Sequence, residues 1–388
     1  MPDPISYLKA SIAAVVASAM IVLVFRLIMR KSVHSVAAVS YVLAVGVGIV
    51  TGCRVLQFSW TWPPANALNR FLLIVLPATV ILELLAAILG GGEAVNVRIL
   101  GYSAPKRSGS LCALGFRLAL YASVGRILLH DSVYLGDVSR GGDLGGVHPD
   151  AWNFAQTVAV FGGSFAGLIA IWGLLCRLSE RAAAGSITLS LAMVIQGTGL
   201  ATMMAGYIKG GSAAIPLAAA LVGATFASQL LAKVVDGFDK KYLRGTIGIG
   251  VIGLCSLLCI GHYFGQLTGL RAIVLFLTPL LCWISELPGL RARPAWQKSA
   301  ARMIAVTIVL SAVLFVAKQD FDREMAPLLR RVSSSDTERR LTAASSWKPS
   351  ADPGVPFPSK SGEKVADGRM SRTGRSRVVQ TNTVKQRI

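Results

Sequence analysis

Charged residues are scarce in this sequence, and acidic ones are the scarcest. Only 15% of the 388 residues are charged and 53% are hydrophobic, whereas soluble globular chains carry about 25% charged residues. Asp and Glu number 19 against 39 Lys and Arg. This composition excludes an ordinary cytosolic enzyme, a coiled coil and a disulfide-rich secreted domain, and it predicts an integral membrane protein.

Cysteine is sparse as well, and its spacing provides no metal or redox motif. The six cysteines lie in apolar stretches, and none forms a C-x-x-C pair. Cys255 and Cys259 would share a helix face, but two thiols without a nearby histidine make a poor metal site. The motif residues of lipid phosphatases, rhomboid proteases, P-loop proteins and dehydrogenases are also missing. We therefore expect the cysteines to pack as small hydrophobic residues.

Long apolar runs dominate the first 317 residues. A helix needs roughly 20 apolar residues to cross a bilayer, where its backbone polar groups must be satisfied internally. Ten stretches have this length, and the fourth is the least apolar because it contains Arg117 and Arg126. We predict an all-α polytopic membrane protein, a bundle of about ten transmembrane helices with spans at residues 8–29, 36–56, 70–89, 111–129, 152–176, 186–208, 212–232, 245–264, 270–286 and 300–317.

The composition changes at the end of the last span. Residues 1–317 contain 24 Lys and Arg and 11 Asp and Glu, whereas the last 71 residues alone contain 15 and 8. We predict that residues 318–388 form a basic Ser/Pro-rich tail, largely disordered, because it has too little apolar surface to bury. Contact with anionic lipid is one role for such a tail. The absence of an aromatic-basic binding module argues against nucleic acid.

Positive charge alternates between the connections. The odd-numbered connections, with Arg302 counted in the ninth, contain 16 Lys and Arg residues, and the even-numbered ones contain 5. Because cytoplasmic loops collect Lys and Arg, both termini are predicted on the non-cytoplasmic side. Ala17-Ser18-Ala19 resembles a signal-peptidase site, but the apolar run continues beyond it. We expect the first segment to remain as a helix.

Glu83 and Arg117 lie at the same predicted depth in neighbouring antiparallel spans. Each is six residues from the cytoplasmic end of its span, or about 9 Å at the rise of an α-helix. Ionisable groups are costly inside a bilayer and therefore mark pairing or function. We predict an ion pair between them. It could serve only to help the fourth segment insert, or Glu83 could be a proton or cation site that Arg117 keeps ionised.

Histidine marks two further candidate sites. His262 lies in the eighth span, where it could titrate near neutral pH or simply form a hydrogen bond within the packing. The fourth connection gathers His130, Asp131, His148 and Asp150 at one exterior interface. Histidine and carboxylate suit a divalent metal ion, although such an acidic loop could equally be a plain consequence of basic loops facing the cytoplasm.

Three functions fit these features, and the lipid bilayer is the partner that all of them require. The first, which we favour, is a small-solute transporter or permease, suggested by ten spans, the buried Glu83 and helix-breaking Pro77 and Pro279. The second is a membrane-embedded enzyme with an exterior His/Asp site, which could hold a divalent metal. The third is a non-catalytic membrane component that acts through its basic tail. No other cofactor is predicted, and the sequence leaves the oligomeric state undetermined.

Overall fold

The structure, a computed structural model, describes residues 3–28, 34–90, 108–130, 132–135, 152–181, 184–234 and 244–346. Within these ranges the chain is almost entirely helical, and none of their residues lies in a β-strand. The chain divides into two units, residues 1–328 and residues 329–388. The second unit is described over residues 329–346, which are helical. The predicted site residues all belong to the first unit.

Ten helices follow the ten predicted spans in order along the described residues. They are α1 (Pro4–Ile28), α2 (His34–Val55), α3 (Ala67–Arg70, a π-helical turn Phe71–Val75, and Leu76–Gly90), α4 (Ser108–Leu128), α5 (Phe154–Arg181), α6 (Ala184–Met204), α7 (Ile208–Ser212 and Ala214–Val234), α8 (Arg244–Tyr263), α9 (Gly269–Leu277 and the 3₁₀ helix Thr278–Glu286) and α10 (Ala295–Ser346). Short helical turns at Val133–Leu135 and Pro288–Arg291 lie between them.

The predicted architecture, a multi-pass helical bundle, is confirmed. In the described part of the chain, nine helices are long and apolar enough to cross a membrane. The helix α4 has 21 residues and contains Arg117 and Arg126; it is not among the nine. Its passage through the membrane stays a prediction.

The helix α8 is the centre of the bundle. It contacts α2 through α7 and also α9, and residues 246–258 are buried without a break. Its sequence explains this position, because no charged residue occurs between Arg244 and His262. A helix that is apolar on every side is stable only when other helices surround it. The face that α8 presents to α3 and α4 positions the candidate site described below.

Two helices are irregular where the sequence has an internal proline. Proline lacks an N–H and its ring clashes with the carbonyl four residues earlier. In α3 the turn before Pro77 widens to the π-helical segment Phe71–Val75. In α9 the chain tightens to the 3₁₀ helix Thr278–Glu286, which has Pro279 in its first turn. Such departures from α-helical geometry are frequent at functional sites.

The helix α1 packs through small residues against α2 and α7. Ser18 is one of its buried residues, and a Cβ atom added at Gly48 would lie 3.0 Å from Ser18 Cβ and 2.8 Å from Ala220 Cβ. A Cβ atom at Gly223 would likewise overlap Ser18 and lie 2.8 Å from Val15 Cα. Glycine at these two positions lets three helix backbones approach closely, as in other membrane bundles.

The last helix is longer than predicted at both ends. It begins at Ala295, directly after Pro294, and continues past the predicted end at residue 317 to Ser346. Charged side chains support the extension: Lys318 Nζ lies 3.0 Å from Asp322 Oδ2 one turn on, and Arg271 of α9 forms an ion pair with Asp320. Residues 318–346 therefore continue the last helix. The predicted disorder of residues 347–388 falls outside the described residues.

Candidate functional site

Glu83 and Arg117 form a two-point ion pair between α3 and α4. Arg117 donates from Nε to Glu83 Oε1 at 3.0 Å and from Nη2 to Glu83 Oε2 at 2.5 Å. The Glu83 side chain is 1% exposed and that of Arg117 is 15% exposed. This fork geometry is the strongest arrangement that a carboxylate and a guanidinium can adopt. The pair therefore holds two charges in the interior of the bundle.

The Glu83 carboxyl group fits against α8 because that helix has glycine there. A Cβ atom added at Gly248 would lie 2.8 Å from Glu83 Cδ, and one at Gly245 would lie 3.9 Å from Glu83 Cβ. Real Cβ atoms essentially never approach another atom more closely than 3.0 Å. Glycine at 248 therefore lets the central helix lie directly beside the carboxylate.

Two aromatic side chains continue the site on the other side of Arg117. The guanidinium carbon of Arg117 lies 5.2 Å from the ring centroid of Trp172 on α5, a cation–π distance. Tyr121 follows Arg117 by one turn of α4, and its ring meets Trp172 edge-on, with centroids 6.0 Å apart and planes at 79°. Trp172 thus joins the ion pair to Tyr121.

A small cavity begins at Tyr121, between α4, α5 and α8. Its volume is about 10 Å³, close to the space that one water molecule needs. Its lining includes Tyr121, Gly125, Phe161, Ser164, Cys255 and Cys259. The Tyr121 hydroxyl oxygen is buried and finds no hydrogen-bond partner in the described part of the chain. Buried polar groups normally have a partner, so this hydroxyl is suited to a ligand or a water molecule.

An aromatic cluster closes the end of the bundle beyond the cavity. Tyr134, Trp152 and Tyr263 lie with each pair of ring centroids between 5.2 and 5.4 Å apart. Trp152 also contacts Phe161, which lines the cavity, at 6.4 Å. A tryptophan at the start of a span is typical of a membrane-interface residue. In space it completes a column that runs from this cluster through the cavity to the ion pair.

His262 lies beside the aromatic cluster and has a local partner. Its Nδ1 is 2.8 Å from the Leu267 carbonyl oxygen, and its ring centroid is 4.7 Å from that of Tyr263. Since a carbonyl can only accept, the ring nitrogen donates. The residue is the penultimate one of α8, so it lies at the end of the span rather than in its middle. This geometry favours hydrogen-bonded packing over a proton relay.

The structure describes only one residue of the predicted exterior metal site. His130 follows α4, with an exposed side chain and a backbone carbonyl that accepts a hydrogen bond from Arg70 Nη1. Asp131, His148 and Asp150 lie outside the described residues. Among the positions that are described, no three His, Cys, Asp or Glu side chains are grouped as metal ligands would be. The metal site remains a prediction.

Arg302 is a buried residue that the sequence reasoning missed. The charge count places it in the ninth connection, but α10 begins at Ala295 and the Arg302 side chain is 1% exposed. Its guanidinium donates to Ser186 Oγ at 2.6 Å, to Ser285 Oγ at 2.6 and 2.9 Å and to the Cys282 carbonyl oxygen at 3.2 Å. The signal in the sequence is the apolar run that starts directly after Arg302, which makes this residue part of the span.

A ligand can take the place of either partner in the Glu83–Arg117 ion pair. An acidic group can replace Glu83 on Arg117, and a proton or a cation can replace Arg117 on Glu83. The opposite face of α4 differs, since Arg126 is exposed.

A comparison of the chain with protein-family models, curated proteins and solved structures finds no match. The function is therefore argued from this geometry.

Proposed function

We propose that the protein is a permease for a small polar solute, and that the Glu83–Arg117 pair separates when the solute or its coupling ion binds. The observation that carries this proposal is the continuity between the pair and the cavity. Trp172 contacts the guanidinium of Arg117 on one side and Tyr121 on the other, and Tyr121 lines the cavity.

The energetics of the pair support a functional role. Burying two charges costs several kcal/mol per ion, and well-packed hydrophobic residues in place of a buried pair are often neutral or stabilising. A pair that served only to insert α4 would gain nothing from a neighbouring cavity or from a hydroxyl without a partner. Tyr121 Oη has no partner within the described residues, and it lies on the same face of α4 as Arg117, one turn away.

The irregular turn of α3 supports the same proposal. Transporters commonly place their binding sites beside helices that depart from α-helical geometry, because freed backbone groups and local flexibility allow gating. The π-helical turn Phe71–Val75 lies in the helix that carries Glu83. A small change at this turn would shift Glu83 relative to Arg117, and so would couple solute binding to movement of α3.

Orientation belongs to the proposal as well. If both termini lie on the non-cytoplasmic side, the Glu83–Arg117 pair is nearer the cytoplasmic face, and the cluster of Tyr134, Trp152 and Tyr263 is nearer the exterior. The solute would then pass between the site and the exterior when this cluster opens.

Transport by the purified protein in liposomes tests the proposal. The probes are isotope-labelled solutes from four classes: amino acids, monosaccharides, carboxylates and amines. We expect uptake of at least one class by the wild type. Glu83→Gln and Arg117→Met should each reduce that uptake about tenfold or more, because a hydrogen bond to a charged group contributes about 1.5–3 kcal/mol.

Arg126→Gln is the matched control, because it changes an exposed arginine on the same helix. Its uptake should equal that of the wild type. Glu83→Asp keeps the charge while shortening the reach of the side chain, and it should also lose uptake. This variant provides the test if Glu83→Gln fails to fold. Wild-type rates in both Glu83 variants, or a wild type that moves none of the four classes, would contradict the proposal.

A further inference from the structure

Arg302 has hydroxyl and carbonyl partners in the interior of the bundle. The side chain is 1% exposed, and its hydrogen bonds run to Ser186, Ser285 and the Cys282 carbonyl. No Asp or Glu of the described ranges forms an ion pair with it, although Glu286 attracts it from a longer distance. Arg117, by contrast, is neutralised by Glu83. The charge of Arg302 is thus held without a carboxylate in contact.

Hydrogen-bond donors are in surplus around this guanidinium. An arginine has five N–H groups. Nε–H is shared between Cys282 O and Ser285 Oγ, and each Nη atom makes one hydrogen bond. One N–H on each Nη atom therefore has no acceptor among the described residues. Nearby in the 3₁₀ helix, Trp283 Nε1 is buried and also finds no acceptor in that part of the chain.

The hydroxyl partners can change their role without moving. A serine hydroxyl both accepts and donates, so Ser186 and Ser285 could turn their hydrogens toward a negatively charged oxygen beside Arg302. Ser285 donates to the Cys282 carbonyl at 3.1 Å in the present arrangement. The set of a fork-shaped cation and two small hydroxyls is the chemistry that recognises phosphate and similar oxyanions.

The 3₁₀ helix of α9 offers a route to the site. It contains Cys282 and Ser285, and it ends at Glu286, after which residues 287–289 are exposed. A 3₁₀ helix of nine residues is longer than such helices usually are, and these stretches often mark hinges. Displacement of this short segment would open Arg302 to the nearby surface of the bundle.

We propose that Arg302, Ser186 and Ser285 bind the oxyanion group of a ligand, such as a phosphate. The bound oxyanion supplies the counter-charge and the missing acceptors. This site shares no residue with the Glu83–Arg117 pair, and its test does not depend on transport. The oxyanion could come from a free anion or from the headgroup of an anionic lipid, since both present the same group to the guanidinium.

Thermal unfolding of the full-length protein in an uncharged detergent tests the site. One arm compares inorganic phosphate with potassium chloride at equal ionic strength. The other arm compares phosphatidylglycerol with phosphatidylcholine as the control lipid. A ligand that binds only the folded state raises the unfolding midpoint as its concentration rises. A rise with inorganic phosphate identifies a free oxyanion, and a rise with phosphatidylglycerol alone identifies a headgroup.

The variants connect either rise to Arg302. Arg302→Gln should abolish it, and Arg302→Lys should weaken the apparent affinity about tenfold, because lysine keeps the charge but loses the fork. Arg126→Gln, at an exposed position, should behave as the wild type. If Arg302→Gln does not fold, Arg302→Lys alone decides. Absence of any rise in the wild type, or an affinity unchanged in the Arg302 variants, overturns the proposal.

Discussion

Glu83 is a carboxylate held in the interior of the bundle. It is buried, it is held at two points by Arg117, and it lies against a glycine of the central helix. Removal of either partner leaves the other charge without compensation, which costs about 3–5 kcal/mol in a buried pair. The ion pair that holds α3 against α4 therefore also makes the protein sensitive to loss of either side chain.

The mutual dependence of Glu83 and Arg117 can be measured in a double-mutant cycle. Glu83→Gln and Arg117→Met should each destabilise the protein by about 3–5 kcal/mol, and the double variant should lose less than either single variant, because it leaves no lone charge. Denaturant unfolding in detergent micelles measures the three losses. Arg126→Met should stay within about 0.5 kcal/mol. Strictly additive losses would show that the two side chains do not interact.

The residues of the site differ in how far the sequence could reveal them. Equal distance from one interface is enough to place Glu83 and Arg117 at the same depth, and the structure has them in contact. Nothing in the sequence indicates that Trp172 or Gly248 lies beside them, because this depends on the lateral order of the helices. Whether the pair works in transport stays a prediction.

The close packing of α8 against α3 explains why glycine occurs in the central helix. Gly248→Ala would place a Cβ atom 2.8 Å from Glu83 Cδ. We expect it to destabilise the protein by about 1–3 kcal/mol through overpacking, and to lower the uptake measured with the wild type. The added loss should be smaller in a Glu83→Ala background, because the clash is then relieved.

Gly163 of α5 provides the matched control for Gly248. A Cβ atom at Gly163 would meet nothing within 4 Å, so Gly163→Ala should be neutral or should stabilise by up to about 1 kcal/mol through helix propensity. Chemical denaturation of both variants in the same detergent compares them. Equal losses at the two positions would mean that contact with Glu83 does not set the requirement at 248.

Helix existence and order are predictable from this sequence, whereas helix ends are not. Every predicted span has its helix, because each needs only a long apolar run. The apolar run predicts a start of α10 at residue 300, whereas the helix begins at Ala295. Arg302 lies inside both ranges, and it is counted as a loop charge only because it is charged and close to the predicted end. Its far end extends to Ser346 through polar residues. The ion pairs of Lys318 and Asp320 support this extension, and no apolar run in the sequence predicts it.

The number of membrane crossings decides the relation between the two termini. Ten crossings put both termini on one side, whereas omission of α4 would put them on opposite sides. We expect ten, with both termini on the non-cytoplasmic side, from the distribution of Lys and Arg between the connections. Fusions after Ser346 should be active with alkaline phosphatase and dark with green fluorescent protein. The reverse pattern there would contradict the prediction.

An internal fusion completes the topology test. A reporter inserted in the connection at residues 182–183, between α5 and α6, should report the cytoplasmic side. A third reporter, fused before Pro4, separates an error in the number of crossings from an inverted orientation. Omission of α4 exchanges the internal and C-terminal signals and leaves the N-terminal one unchanged, whereas an inverted protein exchanges all three.

The contact of α1 with α7 has a consequence for biosynthesis. Ser18 meets Gly223, so α1 has to wait for a partner that is synthesised about 200 residues later. At about 5–20 residues per second this delay is roughly 10–40 s. During that time α2 is the helix available to cover the small-residue face of α1. A pause in translation before Ile208 would lengthen the interval, and an insertion chaperone that shields α1 would act within it.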